Sequence, residues 1–213
     1  MKVMRLAWVL TLALMIMPPT TVAQTLEQLW QQGETAQAQK KYPEAERIWR
    51  QIIQLEPNSA DAYYNLGNVL RDQKKLTEAE EMYRRALALD DKYVNAYYNL
   101  GNVLRDQKKL KEAEEMYRRA IALDDKYVNA YNNLGNVLSD QKKLTEAEEM
   151  YRRALALDDK YVNAYYNLGI VLADQKKLTE AEEMFRRAIA LDDKDVYAYN
   201  GLGIVLRDQK KLT

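Results

Sequence analysis

The chain has 213 residues, 47% of them hydrophobic, with only 7 Gly and 4 Pro, so it carries enough apolar surface to bury a core. Its 32 basic residues equal its 32 acidic residues, which argues against a general nucleic-acid binder and against electrostatic docking on anionic lipid, since both need a basic excess. The absence of both Cys and His removes thiol nucleophiles, disulfides, Cys/His zinc sites and the commonest general base.

Residues 1–23 differ from all that follow. Lys2 and Arg5 precede an uncharged, mostly apolar run of 12 residues, Leu6 to Met17. Pro18 and Pro19 break the run, and Thr21-Val22-Ala23 puts small residues where a signal peptidase needs them, before the polar Gln24. This is the layout of a secretory signal peptide. A membrane anchor would need about 20 apolar residues. Cleavage after Ala23 takes away two of the 32 basic residues and no acid, so the mature chain would carry a net charge of −2 and no stable membrane span. The expectation is an exported chain, periplasmic or extracellular, in a bacterium.

From residue 24 onward the chain repeats itself. Asn65 to Leu70 returns as Asn99 to Leu104 and as Asn133 to Leu138, then as Asn167 to Leu172 with Ile170 in place of Asn, at a step of 34 residues. Blocks 60–93 and 128–161 differ at 4 positions only: Ala60/Val128, Asp61/Asn129, Tyr64/Asn132 and Arg71/Ser139. The phasing is 26–59, 60–93, 94–127, 128–161 and 162–195, with a half repeat at 196–213.

Each block reads as two helices. Tyr63, Leu66, Gly67 and Leu70 fall on one helical face, and so do Ala79, Met82, Tyr83, Ala86 and Leu87. Gln73-Lys74-Lys75 makes the turn between them. Thr77 with Glu80 has the spacing of a capping box for the second helix, repeated at Thr145/Glu148 and Thr179/Glu182, whereas Lys111 lacks the hydroxyl and should start its helix less firmly. Asp90 and Asp91 stand where an acidic cap would favour the next helix. Glu80/Arg84 and Glu81/Arg85 have i,i+4 spacing on a solvated face.

The motif aromatic-x2-Leu-Gly-x2-large, then Ala-x3-aromatic-x2-Ala, at a period of 34, resembles the tetratricopeptide repeat. Here it is Tyr63, Leu66, Gly67, Leu70, Ala79, Tyr83 and Ala86, and it covers residues 26–213. One departure is consistent: the family's closing proline survives only as Pro57, with Asp91, Asp125, Asp159 and Asp193 in later copies. The resemblance implies an all-α fold, an α-solenoid of stacked antiparallel helix pairs forming a right-handed superhelix. A lone pair cannot cover its apolar face, whereas stacked pairs cover each other.

The resemblance also implies that the first helix of each pair lines a concave groove. The residues it would present are Tyr64, Asn65, Asn68 and Arg71; Tyr98, Asn99, Asn102 and Arg105; Asn132, Asn133 and Asn136; and Tyr166 and Asn167. The Asn ladder has two readings. Asn offers a donor and an acceptor and could grip the amides of an extended peptide, as similar ladders do in some glycosyltransferases and transport receptors; or it satisfies neighbouring helices. Copies differ at Asn68/Asn102/Asn136/Ile170 and Arg71/Arg105/Ser139/Ala173, so the groove would grade from polar and basic to apolar, or these positions have simply drifted. Members of the family that hold a C-terminal carboxylate use a Lys/Arg clamp with Asn; the basic part is missing here, so that ligand class is not expected.

No catalytic, cofactor or metal-binding residues are expected. The paired acids at each inter-repeat turn lack the glycine pattern of a Ca²⁺ loop, and no phosphate loop or nucleophile elbow is present. The leading expectation is a non-enzymatic scaffold binding protein or peptide. The alternatives are the substrate-recognition arm of a larger enzyme whose catalytic domain lies beyond residue 213, and an envelope-assembly spacer. The chain ends at Thr213 where a further second helix would begin, so end-to-end self-association is a further possibility at this stage.

Overall fold

The computed structural model describes residues 19–209, with side chains from residue 26. Eleven helices follow one another among the described residues: α1 (Pro19–Ala38), α2 (Tyr42–Leu55), α3 (Ala60–Asp72), α4 (Leu76–Leu89), α5 (Val94–Asp106), α6 (Leu110–Leu123), α7 (Val128–Asp140), α8 (Leu144–Leu157), α9 (Val162–Asp174), α10 (Leu178–Leu191) and α11 (Val196–Asp208). The expected signal segment lies outside the described residues except for its last five positions, which open α1.

Successive helices pack as pairs, α1 on α2 through α9 on α10, and each pair packs on the next. First helices also touch first helices, α3 on α5, α5 on α7, α7 on α9 and α9 on α11, whereas successive second helices do not meet in this way among the described residues. The first helices therefore lie on the inside of the curve. This is an all-α solenoid of helix pairs.

The sequence explains the packing. The first helix is covered from two sides, by its own partner and by the preceding second helix, so it buries a broad stripe: Ala62, Leu66, Val69 and Leu70 in α3, and the same positions in α5, α7 and α9. Ala79, Tyr83 and Ala86 of α4 are buried against it, with Met82 and Leu87 at the edge. The aromatic ring lies directly on the glycine of the first helix. A Cβ at Gly67 would stand 2.8 Å from Tyr83 Cε1, and one at Gly101 2.7 Å from Tyr117 Cε1.

The turn inside each pair overturns the capping box. Lys75 N–H donates to the Leu70 carbonyl and Lys74 N–H to that of Arg71, the paired bonds of a Schellman motif. This needs a left-handed residue, and Lys74 supplies it at φ 63°, as do Lys40, Lys108, Lys142 and Lys176 in their turns. The motif uses up Lys74 and Lys75, so α4 starts at Leu76 with Lys75 as a cap residue whose side chain makes no capping bond. Thr77 is thus already inside the first turn, and Glu80 faces sideways to Arg84 and Lys109. The same holds at Thr145/Glu148 and Thr179/Glu182, where Lys143 and Lys177 are the caps. α6, with Lys111, starts in the same register, so the missing hydroxyl costs it nothing.

The acidic caps are also corrected. Asp90 ends α4 and its Oδ1 accepts from Lys92 N–H at 2.9 Å, a local turn bond repeated at Asp124, Asp158 and Asp192. The next helix is entered through Tyr93, which makes no side-chain cap bond; among the described residues only Ser59 and Asp195 cap a first helix with their side chains.

The outer face carries an ion-pair ribbon. Arg50 pairs with Glu46 at 2.9 Å and with Glu78 of the next second helix at 3.0 Å, while Lys75 reaches Glu46 at 2.7 Å. Arg84, Arg118 and Arg152 bridge onward in the same way. Burial would raise the Glu46 pKa, but hydrogen bonds from Lys75, Gln73 and Arg50 outweigh it and hold the carboxyl at about 2. The expected Glu80/Arg84 pair forms, whereas Glu81/Arg85 makes no ion pair.

Left-handed backbone is strained for lysine and free for glycine. Replacing Lys74, Lys108, Lys142 and Lys176 by Gly should therefore stabilise the fold by about 0.5 kcal/mol at each site, read as a higher midpoint in chemical denaturation. An unchanged or lowered midpoint would contradict the turn geometry.

Candidate functional site: the inner face

The inner face holds the Asn ladder, and its geometry follows from the buried aromatic of each second helix. Tyr83 crosses under α3 and its Oη donates to Asn68 Oδ1 at 2.7 Å. The same oxygen accepts from Asn99 Nδ2 of the next repeat at 3.0 Å. Asn99 Nδ2 also reaches Tyr64 Oη at 3.0 Å, and Asn99 Oδ1 accepts from Arg71 at 3.2 Å. Asn68 and Asn99 are both buried. The network ties one repeat to the next.

The next repeat copies it. Tyr117 Oη donates to Asn102 Oδ1 at 2.8 Å, and Asn133 Nδ2 donates to the same oxygen at 2.9 Å and to Tyr98 Oη at 3.1 Å. In repeat 128–161, Tyr151 Oη meets Asn136 Oδ1 at 2.7 Å, and Asn167 Nδ2 turns to Asn132 Oδ1 at 3.1 Å, because Asn132 stands where the two preceding repeats have Tyr64 and Tyr98. Desolvation raises the Tyr83, Tyr117 and Tyr151 pKa values, so these phenols stay protonated and act as donors.

In repeat 162–195 and its junction with the half repeat that follows, all three polar members change together. Phe185 replaces the tyrosine, Ile170 the first asparagine and Gly201 the second. Gly201 is needed because a Cβ there would stand 2.5 Å from Phe185 Cε1. Removing one polar partner of a buried bond orphans the other, while removing all of them together leaves nothing unsatisfied. The apolar drift along the groove at the Asn68/Asn102/Asn136/Ile170 position thus has a packing cause.

The remaining expected residues are less committed. Asn65 is half-buried and joins no such bond. Arg71 also holds Asp72 at 3.0 Å, and Arg105 stands 3.7 Å from Asp106. Tyr64, Tyr98 and Tyr166 are half-buried, with rings 5.9, 6.0 and 6.0 Å from the buried Tyr83, Tyr117 and Phe185.

A second set of contacts was not anticipated from the sequence. The last residue of three repeats is tyrosine, and it folds back on the first helix of its own repeat. Tyr93 lies 4.8 Å from Tyr64 and donates to Asp61 Oδ1 at 2.7 Å; Tyr127 lies 4.9 Å from Tyr98 and donates to Asn95 at 3.3 Å; Tyr161 donates to Asn129 at 2.9 Å. Burial pushes the Tyr127 hydroxyl up to about 12. The matched variation of residues 59, 93, 127, 161 and 195 was the available signal.

Among the described residues no group of His, Cys, Asp or Glu could hold a metal ion, and no helix is long and apolar enough to cross a membrane.

The ladder predicts non-additive energetics. Tyr117→Phe and Asn102→Ile should each cost about 1–2 kcal/mol in denaturant unfolding, because each strands a partner. The double variant, which copies Phe185/Ile170, should cost less than the two single losses together. Strict additivity would contradict the coupling.

With this geometry in hand, comparisons with known proteins can be placed. The family model described as tetratricopeptide repeat matches residues 22–92, 58–126, 93–160 and 126–194. A search of curated proteins by sequence found no match. Solved structures with the same fold include a tetratricopeptide repeat protein from Parabacteroides merdae, 21% identical, with a TM-score of 0.78, covering 88% of this chain and 75% of that one. The MamA structure from Desulfovibrio magneticus is 20% identical, with a TM-score of 0.75, covering 80% and 97%. YrrB, described as a TPR protein with an unusual peptide-binding site, is 23% identical, with a TM-score of 0.72, covering 84% and 96%.

Proposed function

Because the chain belongs to the tetratricopeptide-repeat family, we propose that it is a protein-interaction scaffold that holds extended peptide segments along the inner face formed by α3, α5, α7 and α9. The observation that carries this reading is the arrangement of the first helices, which line the inside of the curve and bring Tyr, Asn and Arg side chains to it in register. YrrB, similar in fold, is described by its peptide-binding site.

The roles within the groove divide. Asn68, Asn99, Asn102 and Asn133 hold neighbouring repeats together and fix the groove wall. Asn65, Arg105 and the Asn167 carbonyl have capacity to spare, and an extended backbone offers the amides that match them. The chain has no His and no Cys, which supports a non-catalytic role.

The test is peptide binding by the variant Asn65→Ala/Arg105→Ala. Neither side chain braces the fold, so thermal stability should stay within about 0.5 kcal/mol of the parent. Affinity for peptides selected on the parent from a random display library should fall about ten-fold. Selection that yields no binders, or binders indifferent to both substitutions, would refute the groove.

The same reading places the protein outside the cytoplasm, on the strength of Lys2, Arg5, the apolar run Leu6 to Met17 and Thr21-Val22-Ala23. Mass spectrometry of the chain expressed in a bacterium should find a mature N-terminus at Gln24 in the exported fraction. An intact Met1 retained in the cytosol would contradict export.

A further inference from the structure

The last inter-repeat turn, after repeat 162–195, lacks the tyrosine that fills the three before it. In its place is Asp195, whose Oδ1 instead caps α11 by accepting from Tyr197 N–H at 2.9 Å and Ala198 N–H at 3.2 Å. The groups that the missing phenol would meet are still present. Tyr166 corresponds to Tyr64 and Tyr98, and Asn163 to Asp61, Asn95 and Asn129. Asn163 touches the Tyr161 phenol, but its carbonyl oxygen accepts no hydroxyl among the described residues.

Tyr197 does not replace the missing ring. It meets Tyr166 edge-on at 6.3 Å, against the 4.8 Å of Tyr93 on Tyr64, and remains 73% exposed. Between them lies a cavity of about 580 Å³ lined by Asn163, Tyr166, Asn167, Asp195 and Tyr197 among others. At the first turn, where Ser59 also replaces tyrosine, Trp30 stands in the place of Tyr64 and turns edge-on against Trp49 at 5.0 Å, and the cavity of about 420 Å³ at that turn is lined by Glu56, Pro57, Asn58 and Ser59, with no aromatic ring to stack on.

We propose that this cavity is a binding site for an unmodified tyrosine side chain of a partner peptide, its ring stacked on Tyr166 and its hydroxyl donating to Asn163 Oδ1. The three filled copies show what the slot accepts: a phenol with its oxygen on the Asp61 carboxylate or an Asn side-chain oxygen in all three, and its ring 4.8–4.9 Å from a first-helix tyrosine in the two copies that have one. Ring stacking supplies affinity and the hydroxyl bond supplies selection over phenylalanine. Two carboxylates at the rim, Asp192 and Asp195, outnumber the one cation there, Lys194, so the net local charge disfavours a phosphorylated tyrosine. The proposal rests on the groove reading and adds a specificity pocket at its C-terminal end.

The experiment is an NMR titration of the full ¹⁵N-labelled chain with N-acetyl-tyrosinamide, N-acetyl-phenylalaninamide and the phosphotyrosine analogue. Saturable shifts at Asn163 and Tyr166 are expected with the tyrosine compound, about five-fold weaker affinity with phenylalanine, and no saturation with phosphotyrosine. Asp195→Tyr rebuilds the filled turn and should abolish the response, and Asn163→Ala should bring tyrosine down to the phenylalanine level. Equal response to tyrosine and phenylalanine, shifts that survive Asp195→Tyr, or a tyrosine affinity left unchanged by Asn163→Ala would overturn the site. If the free chain dimerises and Asp195→Tyr returns it to monomer, the occupant is a second copy and the peptide proposal fails. Library peptides that lose affinity in Asn65→Ala/Arg105→Ala but not in Asp195→Tyr would leave the groove standing and remove the slot.

Discussion

The structure depends on one close contact, the aromatic ring of each second helix pressed on the glycine of the first. With a Cβ at Gly135 only 2.6 Å from Tyr151 Cε1, no other residue allows the two helices to come so near. That approach carries the ring through the helix pair to the inner face, where its hydroxyl finds Asn136. The aromatic thus acts at both ends, as core filler between helices and as the donor that anchors the polar ladder. Small Ala147 and Ala154 beside it are fully buried for the same reason.

From this contact follows the way repeats are joined. The asparagine that accepts from the tyrosine also accepts from the asparagine of the next repeat, so one oxygen couples core packing to stacking. A second connection runs along the outside, where Arg84 bridges Glu80 and Glu112 on second helices that do not otherwise meet. Exposed pairs of this kind contribute little singly, about 0.2–1 kcal/mol, but their regular repetition fixes the spacing between outer helices. Inner hydrogen bonds and outer ion pairs together set the curvature that makes a groove. Both depend on the step of 34 residues, which returns each side chain to its neighbour's reach.

The fold was legible because its signals are periodic: Gly67 and Ala79 recur at every matching position, Leu66 and Leu70 in every copy after the first, and the Tyr83 position is always aromatic. The helix starts were misread because the turn residue is a lysine. A glycine at Lys74 would have announced the left-handed Schellman turn; lysine adopts it only because the bonds to Leu70 and Arg71 demand it, and Thr77/Glu80 then mimicked a capping box. The site was half legible. The sequence placed Asn99 and Asn133 on the inner face but left two roles open, since an amide that can grip a peptide can equally grip Asn68 or Asn102. Only geometry separates these. The change at Ile170 looked like a graded groove until Phe185 and Gly201 were seen to change with it. Tyr93, Tyr127 and Tyr161 escaped attention because a tyrosine at a turn has no periodic partner in its own helix.

The central claim, that glycine at this position exists for the ring beside it, is tested most directly by making one substitution at two places. A Cβ at Gly101 would stand 2.7 Å from Tyr117 Cε1, whereas one at Gly203, at the same point of its repeat, would meet nothing within 4 Å among the described residues. In equilibrium denaturation, Gly101→Ala should destabilise by about 1–3 kcal/mol through overpacking, while Gly203→Ala should be neutral or stabilise by up to about 1 kcal/mol through helix propensity. Equal effects at the two glycines, of either sign, would contradict the account.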